Sequence, residues 1–363
     1  MAVMTALDSI AEAANRINIQ NVWYLLLYAW DMAAWRGRWQ RASEASPPLL
    51  GLLARVLAES TRDLLRYQLG RSYTQRKETI PGVRGRVDFA TSLKRRTFDR
   101  AATHCAFSEL SVDTLKNRIL RGTLHRLASD ARLKHANKDS EARLRHDIRS
   151  VVRALEGISI VPIGSADFGR LQLSENDRPY ALPLAICALI HRLEMPTEAS
   201  GDHALTALLK DELVFHQLFE RFVRNFYRLH LSAYWVKPER LSWFDTLGSS
   251  FVPEMLTDIS IVGTEPPYRR LIVDTKYSVR TLSDRMKFKS ENLYQIYAYL
   301  RTQEHLSEAH GEAEGMLLYP TIEVNLDEAM VVQGHRIRVA TLDLSQSWGE
   351  IEERLLDFIG VQS

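Results

Sequence analysis

Cysteine is scarce: Cys105 and Cys187 are the only two in 363 residues. They lie too far apart in sequence to make a zinc-ligand pair, and each sits beside apolar residues, so both read as small core side chains in a reducing compartment. Long hydrophobic runs are missing too. The longest, 22–30, is too short to cross a bilayer. Asp8 and Glu12 stand where a secretory signal needs an apolar run, so a cytoplasmic protein with no membrane association is expected. No sign of charge dominates: 47 basic against 45 acidic residues leave a formal charge of +2. Any contact with nucleic acid must therefore come from local clustering, not from net charge. A Gly-x-x-x-x-Gly-Lys-Ser/Thr loop is also lacking, which excludes the usual nucleotide cradle from this chain. No repeat or low-complexity tract occurs.

What is present is a globular composition, 45% apolar and 25% charged, in a chain long enough for two cores. Residues 21–30 are so densely apolar that a helix there must be buried nearly all round. Apolar positions repeating at three and four predict a helix over 49–69. Strand-like alternation over 73–78 and 84–89 flanks the turn Ile80-Pro81-Gly82-Val83, and 105–107 reads as a further short strand. Helices follow over 113–133, with Asp113 at the start, and over 134–149. A proline- and glycine-rich passage, 162–182, precedes a helix at 184–193. The stretch 196–201 (Pro-Thr-Glu-Ala-Ser-Gly) is the best linker, dividing the chain into an α+β domain, 1–200, and an α/β domain, 201–363. The second part reads as a helix at 205–231, strands at 255–262 and 270–277, a helix at 292–301, a strand at 315–319 and a helix at 348–358, an α/β layer pattern.

Chemistry concentrates in that second part. Leu271-Ile272-Val273 suits a strand buried on both faces, and such a strand should not end in charges without a reason. It ends in Asp274-Thr275-Lys276, whose alternation puts Asp274 and Lys276 on one face and Thr275 on the other. The preceding strand carries Asp258, and the turn 263–268 lets the two strands pair, which brings both carboxylates to one point. Asp258, Asp274 and the Thr275 carbonyl are hard oxygen ligands of the kind Mg²⁺ takes. An ion there would polarise a phosphoryl oxygen and activate water, while Lys276 could orient that water or meet developing charge. An acid-x-Lys triplet alone means nothing, since composition supplies on the order of one to three per chain. The upstream acid, the apolar lead-in and the hairpin spacing give it weight. Gln295 and Tyr299, four apart and so on one helix face, are supporting candidates. So is Glu220, which is also spaced to pair with Arg224.

Asp258 with Asp274-Thr275-Lys276 resembles the PD-(D/E)xK nuclease superfamily, and Gln295-x-x-x-Tyr299 looks like the helix motif of its RecB-like branch. Asn21-Val22-Trp23-Tyr24-Leu25-Leu26-Leu27-Tyr28-Ala29-Trp30 resembles the opening signature of the McrC family. So do Ile80-Pro81-Gly82-Val83-Arg84-Gly85-Arg86-Val87-Asp88-Phe89, residues 110–120, and Gly315-Met316-Leu317-Leu318-Tyr319-Pro320. The likeness runs from about 17 to 358. It implies a restriction-endonuclease-like C-terminal domain, a mixed sheet flanked by helices, that cuts double-stranded DNA with Mg²⁺ at Asp258, Asp274 and Lys276. It implies an N-terminal domain that docks on an McrB-like AAA+ GTPase hexamer and stimulates it; GTP and recognition of methylcytosine belong to that partner. Arg84 and Arg86 are the residues expected at that contact, and pairing of two complexes would cut both strands. The alternatives are a free-standing RecB-like exonuclease or repair nuclease, and a non-catalytic DNA-binding regulator of an AAA+ motor.

Overall fold

The computed structural model describes residues 16–35, 37, 48–67, 69–133, 138–193, 203–243, 252–277 and 289–360. Helix α1 (Ile19–Ala29) is capped by the Asn18 side chain, which accepts from the Gln20 amide. Asn21 to Ala29 are all buried, as the all-round apolar pattern demands.

The residues described up to Leu52 form one compact unit with those from Leu193 onward, and Leu53–Arg192 form a second. A single cut near residue 200 therefore does not describe the chain. A helix apolar on every side needs apolar partners on every side, and α1 finds them in the C-terminal half of the sequence. The expected linker at 196–201 lies outside the described residues.

Helix α2 (Leu49–Arg66) leads into the second unit. There β1 (Ser72–Pro81) and β2 (Arg86–Val87) flank a central β3 (Ala102–Ser111), all antiparallel. The strand expected over 84–89 shrinks to two residues because Asp88 caps helix α3 (Phe89–Lys94), accepting from the Thr91 amide. Gly85 makes the turn possible. Its φ is +68°, and a Cβ there would lie 2.5 Å from the Ala106 carbonyl oxygen and 2.8 Å from Phe107 Cβ. Gly85→Ala is expected to cost ~2 kcal/mol or more, read as a lower denaturant midpoint for the second unit; an unchanged midpoint would refute the assignment. Helices α4 (Leu115–Leu127), α5 (Lys138–Ala154) and α6 (Ala181–Arg192) are the longer helices that follow in this unit. Thr114, not Asp113, caps α4. Asp113 instead accepts two hydrogen bonds from Arg118 and two from Ser159, chiefly the former holding its carboxyl well below the usual range.

The first unit resumes with α7 (His203–Lys210) and α8 (Glu212–His230). Next come β4 (Tyr234–Lys237), β5 (Arg240–Leu241), β6 (Met255–Leu256), β7 (Ile259–Gly263) and β8 (Arg270–Thr275). Helix α9 (Ser290–Arg301), strands β9 (Glu314–Thr321), β10 (Asp327–Val332) and β11 (His335–Asp343), and helix α10 (Trp348–Ile359) close it. Six strands form one mixed sheet in the order β10-β11-β9-β8-β7-β4, with β8-β9 and β9-β11 parallel and the other pairs antiparallel. The α/β expectation for this half holds. The β10-β11 hairpin was not expected, because charges at Asp327, Glu328, Arg336 and Arg338 interrupt its apolar positions. Its signal was the turn Gln333-Gly334, both at positive φ, the backbone of a tight two-residue hairpin. Among the described residues no helix is long and apolar enough to cross a membrane.

Candidate active site

Strand β8 is buried along all six residues, between β7 and β9 in mid-sheet. Asp274, near its end, has no exposed surface, and among the described residues neither of its carboxylate oxygens accepts a hydrogen bond. Lys276 Nζ stands 2.7 Å from Oδ2 as an ion-pair contact. Burial above all, then the charge of Asp258, pushes the Asp274 carboxyl up to about 7, against the pull of Lys276 and His216. A buried carboxylate without donors is costly. This one has the Lys276 ammonium against a single oxygen, which does not offset its burial and the nearby charge of Asp258.

Asp258 owes its place to a break in the expected 255–262 strand. Thr257 turns aside, its amide donating to the Glu239 carbonyl and its hydroxyl meeting Ser260 Oγ at 3.0 Å. The pairing of Ile259 with Val273, continued by one residue, sets Asp258 opposite Asp274. Asp258 Oδ2 accepts from the Thr275 amide at 2.8 Å and from the Thr275 hydroxyl at 2.9 Å. The Thr275 carbonyl accepts from His216 Nε2 of α8 at 2.7 Å. One turn along α8, Glu220 pairs with Arg224 at 2.6 Å, and that guanidinium also reaches the Asp258 carbonyl at 3.4 Å. Glu220 thus bears on the site through Arg224, its carboxylate already engaged.

Lys276 extends from β8, its amide donating to the Leu318 carbonyl of β9. Its ammonium donates to Gln295 Oε1 at 2.8 Å. Gln295 Nε2 donates to the Tyr299 hydroxyl at 2.7 Å, and that hydroxyl donates to the Leu256 carbonyl at 2.9 Å. Helix α9 lies close because β9 offers Gly315, where a Cβ would come within 2.7 Å of Ile296. Asp258, Asp274, Thr275, Lys276, Gln295 and Tyr299 are therefore one connected group, with Glu220 one side chain removed.

Residues 10–320 match the family described as a McrBC 5-methylcytosine restriction system component. The chain belongs to this McrBC family. A relative from Escherichia coli (strain K12), "Type IV methyl-directed restriction enzyme EcoKMcrBC", is 31% identical over 351 residues, covering 94% of this chain and 97% of that protein. The McrBC assignment makes the chain a restriction-system subunit. Its fold matches a chain of the Thermococcus gammatolerans assembly of McrB AAA+ hexamers with bound McrC at a TM-score of 0.52 and 17% identity, over 94% of this chain and 76% of that one.

The other predicted residues of this McrBC-family chain, Arg84 and Arg86, lie in the second unit. Arg84 places its guanidinium 4.4 Å from the centre of the Phe107 ring, and exposed Arg86 sits in β2 opposite Ala106. Sequence reasoning missed His216. A polar residue on an amphipathic helix looks ordinary until a strand end is brought against it. The one available hint was that His216, Glu220 and Arg224 recur at four along a single face.

Proposed function

We propose that this chain is the DNA-cutting subunit of a modification-dependent restriction complex, a Mg²⁺-dependent endodeoxyribonuclease of the PD-(D/E)xK type that acts on double-stranded DNA with an McrB-like AAA+ GTPase hexamer. One observation carries the reading: a fully buried carboxylate without hydrogen-bond donors, coupled to a second carboxylate and flanked by a lysine. The donor set fits Mg²⁺. Among the described residues no group of three or more His, Cys, Asp or Glu could hold an ion, but Mg²⁺ is commonly bound by one or two carboxylates and keeps several waters. Asp274 would supply either oxygen and Asp258 its Oδ1. The Thr275 carbonyl, with two lone pairs, would supply the one that His216 does not use. Bound there, the ion would supply charge neutralisation at the phosphate and a more acidic water.

The chain's own groups do the positioning. Thr275 fixes Asp258 by two hydrogen bonds, and His216 holds the Thr275 carbonyl. Gln295 takes one of the three donors of Lys276, whose ammonium stands in ion-pair contact with Asp274, and its remaining N–H groups would serve a phosphate oxygen or the attacking water. Arg84 and Arg86, on the second unit, contact the GTPase, whose GTP hydrolysis the chain stimulates.

The test is reconstitution of full chain, AAA+ partner and GTP on methylated linear duplex. Cleavage is expected with Mg²⁺, to stop in excess chelator, and to be at least tenfold slower without partner and GTP. Cutting that persists in chelator would remove the metal assignment. Full-rate cutting by the chain alone would favour the free-standing nuclease.

A further inference from the structure

Helix α9 grips the sheet at a second point. Asn292, three residues before Gln295 and on the same helix face, donates from Nδ2 to the Tyr319 hydroxyl at 2.9 Å. Tyr319 belongs to β9. The parallel register pairs Asp274 with Leu317 and Thr275 with Leu318, and one further step sets Tyr319 beside Lys276. Residues in one row of paired strands share a face, so Tyr319 stands on the face of Asp274 and Lys276. Its ring packs in the buried cluster of Ile272, Ile296, Tyr299 and Leu317. Burial above all raises its hydroxyl pKa, with Asp274 adding to the effect. The helix face that touches the site thus reads Asn292, Gln295, Tyr299, and these side chains bond to β9, to Lys276 and to the Leu256 carbonyl in turn.

The geometry points to Tyr319 as a positioning residue for Lys276, acting with Asn292 to pin the first turn of α9 on β9 so that Gln295 can hold the lysine ammonium at the Asp274 carboxylate. This rests on the nuclease reading above. A lysine is a point charge on a flexible four-carbon stem, and Gln295 restrains it only as firmly as α9 is itself placed. Gln295 lies one turn along from Asn292, so freedom at the first turn passes directly to its amide. Misplacement by about 1 Å can cost up to ~10²-fold in rate. Tyr319 does not touch the phosphate; it sets where the touching group stands.

Tyr319→Phe deletes one hydroxyl and keeps the ring that fills the core. In the reconstituted complex it is expected to lower kcat for cleavage about tenfold, with KM for DNA and GTPase stimulation unchanged and the thermal midpoint nearly so. Asn292→Ala is expected to show the same kcat loss, and the double variant to be no slower than either single one, because both break one link. An unchanged kcat in Tyr319→Phe would overturn the inference. So would losses that multiply in the double variant, or a raised KM with kcat intact. Asp274→Ala, run alongside, separates the two levels. Cutting by that variant removes the nuclease reading itself. An inert Asp274→Ala beside a full-rate Tyr319→Phe removes only the role of Tyr319.

Discussion

Asp274→Asn is expected to reduce DNA cleavage by on the order of 10³-fold or more while leaving the chain folded and GTPase stimulation intact. The substitution keeps the volume of a fully buried side chain and removes its charge. A metal acting as Lewis acid contributes several kcal/mol to the transition state, and each 1.36 kcal/mol is a factor of ten, so under the proposed Mg²⁺ reading a ligand set reduced to Asp258 and a carbonyl should be ineffective. Stability should move differently. Burial and Asp258 raise the folded-state carboxyl from the ordinary 3.8 to about 7, so the folded protein holds this proton more tightly than the unfolded chain does. That contribution is complete below about pH 4 and is lost as pH rises through 7. The Asn variant does not titrate there. In chelator, denaturant unfolding should show the parent losing more stability than the variant between pH 5 and pH 8. Parallel profiles would mean that Asp274 carries no buried charge, and an active variant would remove it from the site.

What the sequence disclosed about this site follows from the range over which each signal acts. Asp274 and Lys276 were legible because three aliphatics running into charges is a local contradiction, and Asp258 because a short turn keeps its partner strand nearby. Gln295 and Tyr299 showed through helix periodicity. Tyr319 was hidden inside an apolar run, where a phenol passes for one more core residue, and Asn292 was overshadowed by the motif beside it. His216 required knowledge that α8 lies against the end of β8. The split of strand 255–262 at Asp258 was equally invisible, since it depends on Thr257 bonding to Glu239, and nothing near either residue announces that contact. Local pattern gave the helices well. It gave the partner of α1 not at all.

That partner decides what a fragment carrying the candidate site must contain. A chain beginning at residue 203 is expected to lack a folded first unit altogether, with no cooperative unfolding and no cleavage under any activation. Trp23, Leu26 and Leu27 of α1 have no exposed surface, and Val22, Tyr24, Leu25 and Tyr28 have almost none. The Tyr28 ring lies 5.8 Å from Phe222, 5.5 Å from Phe226 and 5.7 Å from Trp348. Polar contacts fix the same helix: Asn225 Nδ2 donates to the Tyr28 carbonyl at 2.7 Å, and Asn21 Nδ2 to the Leu344 and Gln346 carbonyls at 3.0 and 2.7 Å. Burial of large apolar side chains is worth roughly 1.5–3 kcal/mol each, so seven of them amount to some 10 kcal/mol or more, comparable to the whole stability of a domain. The loss would fall on α8, whose other face carries His216, Glu220 and Arg224 to the site. A milder version can be measured in the full chain: Tyr28→Ala should cost about 3 kcal/mol and slow cleavage wherever the complex is assayed near its melting temperature. Sharp near-UV circular dichroism and a single unfolding transition from the 203–363 fragment would show that α1 only decorates the nuclease unit. Failure of that fragment, beside a folded chain that keeps residues 193–363 together with the residues up to 52, would show that α1 is part of the first unit's folding core.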